Sequence, residues 1–187
     1  HSVVDLDAME TRWFDYWLKG VDNGIVDEPP IRLFIMGSNV WRDEMEWPLA
    51  RTQWQKWCLH SQGKANTLIG DGGLSTELPE DEASDHYVYD PLYPVPTTGG
   101  NTCCSPEIVP WGPYDQRAVE MRSDVLCYTS EPMASDLEVT GPIQAVLFAA
   151  TDGADTDWTA KLVDVAPTGY AKNLCDGIIR ARCRHSF

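Results

Sequence analysis

The chain has 187 residues, 43% of them hydrophobic and 23% charged, which is enough for one domain with a core and unlike a disordered chain. Its formal charge of −15 repels polyanions, so no nucleic-acid partner is expected. No apolar run approaches the ~20 residues that span a bilayer, and no basic segment followed by an apolar one opens the chain. A membrane partner and a signal peptide are therefore not expected, and a cytoplasmic location is favoured.

The first element in chain order is a helix over residues 3–19. Leu6, Met9, Trp13 and Trp17 recur at steps of three and four and share one face, widened by Val3, Phe14 and Leu18. Ser2 and Asp5 form a capping box, and Lys19-Gly20 is a stop signal. A turn-rich loop, "VDNGIVDEPP", follows. "IRLFIMG" (31–37) reads as the first strand, "WRDEMEWPLA" (41–50) as irregular, and "WQKWCLHS" (54–61) as the second strand. "GDGGLS" (70–75) reads as a turn, and "DHYVYDP" (85–91) alternates up to Pro91. Residues 91–116 hold six of the thirteen prolines and Gly99-Gly100, so they form a long irregular loop, a kind that is often functional.

From 124 onward, strands are expected at "DVLCYTS", "DLEVTG", "IQAVLFAA", "DWTAKLVDVA" and "GIIRARCR". Their close punctuation by Gly, Pro, Asp and Ser signals a mainly-β antiparallel sandwich. "IQAVLFAA" is apolar on both faces and is expected to be a central strand. "IIRARCR" alternates, with Ile179, Ala181 and Cys183 opposed to Arg180, Arg182 and Arg184. Both chain ends look cut: the helix lacks a partner, and the sandwich lacks its last strands.

Motifs for chemistry are scarce. No nucleophile elbow, P-loop, dinucleotide fingerprint, H-E-x-x-H or calcium EF loop occurs. The nearest to an elbow, Gly73-Leu74-Ser75-Thr76-Glu77, reads as a plain turn. For His60 and His86, packing or surface roles are favoured over catalysis, with an enzyme site built from one of them as a third reading. Asp152, Asp155 and Asp157 could bind calcium, but a tight turn is the favoured reading. The three arginines are expected to pair across strands with acids such as Glu138 or Asp164. Trp41, Trp47, Trp54 and Trp57 could stack sugars, though core or contact roles are favoured. The six cysteines, at 58, 103, 104, 127, 175 and 183, have no zinc spacing. They are expected to be free, mostly buried thiols, and adjacency disfavours a bridge between Cys103 and Cys104. No metal or cofactor is expected.

Longer motifs fall in a familiar order: "RWFDYWLKGVDNG", "PPIRLFIMGSNVWRDEMEWPLART", "GGLST", "YVYDPLYPVPTTGG", "GPYDQR", "DVLCYTSEP", "LEVTGPI" and "ATDGADTDWTAKLVDVAPTGYAKNLCDGIIRARCR". In these the chain resembles the cocaine esterase-like (CocE/NonD) serine hydrolases of the Xaa-Pro dipeptidyl-peptidase group, which also holds cephalosporin acylases and α-amino-acid ester hydrolases. The resemblance implies an α/β-hydrolase domain carrying a Ser-Asp-His triad, a helical cap, and a C-terminal jelly-roll (galactose-binding-like) β-sandwich. Residues 1–24 would hold the last helix of the hydrolase domain, and 25–187 a truncated jelly roll. The partner would be that hydrolase domain, with a small ester or peptide substrate bound through it. The triad would lie outside this chain, so His1 is not carried over as catalytic, and the chain alone is expected to be inactive. The loop after Gly99-Gly100 would line one side of the acyl pocket, with Cys103 and Cys104 nearest to it as an apolar wall. The alternative function is a free-standing carbohydrate-binding module.

Overall fold

The structure, a computed structural model, describes residues 3–103, 105 and 107–185. It divides into two compact units, His1–Trp54 with Leu137–Gln144, and Gln55–Asp136 with Ala145–Phe187. It is mainly β, with three two-stranded antiparallel ladders and few helices among the described residues.

In the first unit, helix α1 spans Leu6–Lys19. Its cap is Asp5, whose side chain accepts from the Ala8 amide at 2.9 Å. That moves the start three residues beyond the expected one. Gly20 ends the helix with φ +69°, a left-handed conformation that costs glycine little. Arg12 ties the following loop back to α1. Its guanidinium donates to the Asn23 carbonyl at 3.0 Å and pairs with Glu28 at 2.6 Å, while the Asn23 side chain donates to the Arg12 carbonyl at 2.7 Å.

Strands β1 (Ile31–Ile35) and β2 (Val40–Glu44) form a hairpin around Gly37 and Asn39, both at positive φ. The expected irregular segment is thus half strand. Its mixed composition hid a register that sets Trp41 against Phe34, with ring centroids 5.3 Å apart. Segment Leu137–Gln144 is clipped to β2 by a two-pronged ion pair from Arg42 to Glu138, at 2.8 and 3.1 Å.

In the second unit, β3 (Cys58–His60) pairs with β4 (Gly73–Ser75), and β5 (Asp157–Val165) pairs with β6 (Ala171–Arg180). A short helix, α2 (Arg117–Glu120), lies between the two ladders in sequence. Ala65, Val119 and Ala171 are buried together with Gln116 and Asn173, so this core is small and partly polar.

Several expected strands do not form ladders. Segment 124–130 makes only isolated bridges, Asn66 to Leu126 and Gly73 to Thr129, and 85–91 joins no ladder. The run 143–150 is not a central strand; Phe148 is fully exposed and Val146 is 70% exposed. Apolar periodicity shows that a segment suits a sheet, but a strand also needs a neighbouring backbone to take its amides and carbonyls. The final strand starts earlier than expected, at Ala171, and ends at Arg180. Ala181–Cys183 is a single 3₁₀ turn, so the alternation of 177–184 does not continue as a strand.

Glu138 is held at about pKa 2, chiefly by its hydrogen bonds from Arg42 and Thr140. Asp115 is held at about 2 by Arg117. Both folded-state values lie below the ordinary carboxylate range, so their stabilisation is complete above about pH 5 and fades as acid approaches pH 2. Thermal melts should show a steady midpoint from pH 7 to 5 and a falling one below. A Glu138→Gln, Asp115→Asn double variant should lose part of that acid slope.

Candidate functional site

The loop singled out by Gly99-Gly100 is closed at its neck. The Gly100 amide donates to the Gly112 carbonyl at 2.7 Å, and the Gly112 amide returns to the Gly100 carbonyl at 3.0 Å. Gly99 sits at φ +65°, and a Cβ there would lie 2.5 Å from the Gly112 carbonyl oxygen. Only glycine allows that approach.

Beneath the neck lies Gln116, 1% exposed. Its carboxamide nitrogen reaches the carbonyls of Thr98 (2.8 Å) and Tyr114 (3.1 Å) and the Asn173 side-chain oxygen (3.2 Å). Its oxygen accepts from Lys161 Nζ at 3.0 Å, and its backbone amide donates to the Ala171 carbonyl at 2.7 Å. Asn173 in turn accepts from the Tyr114 amide at 2.7 Å. The "GPYDQR" motif therefore fastens both sides of the loop neck to the β5–β6 ladder. Beyond the neck, Ile108 and Trp111 are exposed. Cys103 is disulfide-bonded, which corrects the expectation of free thiols there; Cys104 lies outside the described residues. Cys58, Cys127, Cys175 and Cys183 are free. Burial, with nearby Glu120, pushes the Cys127 thiol up to about 11, so it stays protonated and unreactive.

A second cluster joins three residues that are remote in sequence. Ser75 Oγ lies 3.0 Å from His60 Nε2, and His60 Nδ1 lies 2.7 Å from Glu82 Oε1. The other Glu82 oxygen accepts from the Ser61 amide at 3.1 Å. The His60 hydrogen bond, opposed by partial burial, leaves the Glu82 carboxyl below its usual range. Beside it, Asp85 accepts from the Ser61 hydroxyl (2.6 Å), the Tyr128 hydroxyl (2.7 Å) and the Ala65 amide (2.8 Å). Burial would raise the Asp85 pKa, but these donors together outweigh it and lower it. His86 stays exposed, with its carbonyl accepting from the Asn66 side chain.

Other expected features use one another. Arg180 forks onto Asp157 at 2.7 and 2.8 Å, and Arg182 pairs with Asp155 at 3.2 Å. The arginine stripe thus meets the 151–158 turn, while Glu138 pairs with Arg42 and Asp164 with Lys172 instead. Among the described residues, no group of three or more His, Cys, Asp or Glu could hold a metal ion. Trp41 carries Arg32 over its ring at 5.5 Å and meets Phe34 at an interplanar angle of 61°, so it is engaged within its own hairpin. No described helix is long and apolar enough to cross a membrane.

A family model described as the X-Pro dipeptidyl-peptidase C-terminal non-catalytic domain matches residues 23–187. The chain belongs to that family. The family match covers the loop neck, the Gln116 anchor and the His60 cluster. The whole chain is similar to the cocaine esterase of Rhodococcus sp. (strain MB1 Bresler), 43% identical over 187 residues that make up 32% of that protein. It is also 30% identical to proteins named "putative serine esterase" from Mycobacterium bovis and Mycobacterium tuberculosis, over 95% of this chain and 26% of each relative. The chain therefore spans about a third or less of the length of these relatives.

Replacing Gln116 by Leu keeps the volume but orphans the Thr98 carbonyl, removes the Lys161 ammonium's acceptor, and leaves the Tyr114 carbonyl only the Asn173 amide. The expected loss is about 2–4 kcal/mol in urea unfolding. Hydrogen exchange at the Gly100 and Gly112 amides should accelerate more than at the centre of the β5–β6 ladder.

Proposed function

We propose that the chain serves an ester- or amide-cleaving serine hydrolase by bracing its catalytic domain and walling one side of its acyl pocket. In this reading, 1–24 packs against an α/β-hydrolase domain and 25–187 contributes a jelly-roll sandwich. Loop 101–111 leans over the pocket, with Cys103 and Cys104 nearest the acyl group. The substrate is a small ester or peptide, and the triad lies in the catalytic domain.

One observation carries this reading. Helix α1 is capped at both ends yet has no buried residue, and its Met9, Trp13 and Trp17 are more than half exposed. An apolar stripe of this width on a globular protein faces another packed surface. The esterase relatives, each longer than this chain, make a catalytic domain the fitting occupant.

In the parent enzyme, a Trp13→Asp, Trp17→Asp double variant should lower ester turnover at least tenfold and bring forward thermal unfolding. The same changes should leave the far-UV spectrum of the 187-residue chain unaltered, because these rings are already in water. Unchanged parent kinetics would refute the packing role. For the pocket wall, Cys103→Ala in the parent should shift KM between small and bulky acyl esters with kcat little moved. An equal KM for every acyl group would remove the loop from the pocket.

A further inference from the structure

The Ser75–His60–Glu82 cluster has the connectivity of a nucleophile, a general base and an orienting carboxylate. The family is described as a non-catalytic domain, so a chemical role for this cluster goes beyond that description. Its geometry follows from the β3–β4 ladder. His60 stands opposite Gly73, and Ser75 is two residues along on the same face of β4. Gly73 has no side chain, so the imidazole can lean diagonally across it to Ser75. Glu82 fixes the far side of the ring. A carboxylate only accepts hydrogen bonds, so the proton sits on Nδ1 of the neutral ring. Nε2 is left bare and accepts the Ser75 hydroxyl proton. Ser75 Oγ itself accepts from the Glu77 amide at 3.1 Å, which leaves its own O–H for His60. Each of the three residues is part-exposed, so a reagent can reach the hydroxyl.

We propose that Ser75 is an activated nucleophile, which takes acyl groups from small activated esters and phosphonyl groups from fluorophosphonates, the P–F bond breaking as fluoride leaves and the Ser75 proton passing to His60. Oγ attacks the ester carbonyl carbon while its proton passes to His60 Nε2. The tetrahedral intermediate collapses, the C–O bond to the leaving group breaks, and the departing alkoxide takes the proton from Nε2. Water then attacks the acyl-Ser75 carbonyl with His60 again as base. The carboxylic acid leaves and the Ser75 hydroxyl is restored.

The test uses the 187-residue chain, which lacks the proposed hydrolase domain. A fluorophosphonate probe followed by peptide mass mapping should place one label on Ser75. Ser75→Ala should abolish it, and His60→Gln should slow it about 100-fold, the scale of general-base assistance. As an independent readout, Ser75→Cys should yield a thiol that iodoacetamide alkylates faster near pH 6.5 than the exposed Cys175 of the same molecule. No label on the wild-type chain, a label on another serine, or a rate indifferent to His60→Gln would overturn the proposal. So would alkylation of the introduced thiol no faster than that of Cys175. The cluster would then be a structural clip between β3–β4 and the Glu82 segment.

Discussion

The second unit hangs on one buried carboxamide. Gln116 is the largest fully buried side chain in the described structure, and its polar atoms have protein partners. In a low-dielectric interior, such a network holds geometry tightly because losing any member strands another. Here the members are the two sides of a loop neck and the longest ladder. A small apolar core of alanines and a valine could not specify that arrangement, since such surfaces slide at little cost. Directional hydrogen bonds set the angle between loop and ladder.

Charge does similar work elsewhere. The chain carries a large negative excess, yet its arginines are mostly engaged in named pairs: Arg12, Arg42, Arg51, Arg117, Arg122, Arg180 and Arg182. Most of these pairs are exposed, so each contributes little stability. Their use is positional. They clip loops to ladders across gaps that the thin core does not fill.

Much of this was legible in the sequence where a local signal existed. Helix α1 was readable from its apolar stripe and from Gly20, and β1 and β5 from their β-branched and aromatic content. The hairpin at Gly37–Asn39 was missed because "WRDEMEW" mixes charges with aromatics, and only the register with β1 explains which residues face which side. The run 143–150 was misread for the opposite reason: its composition suits a central strand, but composition carries no information about the neighbour. The disulfide at Cys103 was not legible, because a chain of this length needs no staple and adjacency disfavours a Cys103–Cys104 bridge. The Ser75–His60–Glu82 cluster was out of reach, since Ser75 and Glu82 lie 15 and 22 positions from His60, Ser75 meeting it through the β3–β4 register and Glu82 through a loop outside the ladder. The one available hint was the near-elbow at 73–77, which proved to contain strand β4 rather than a turn.

The paired glycines at 100 and 112 also bear on how this molecule can change over time. Among the described residues, the hydrogen bonds that join the two sides of the neck and tie it to the ladder come from residues at or outside it, so the neck keeps its geometry without relying on them from the segment between. Loop closure costs grow only with the logarithm of length. Insertions and deletions between the two glycines therefore cost little in loop-closure entropy. The neck is a fixed socket, and the length of the segment it holds can change while the scaffold stays the same.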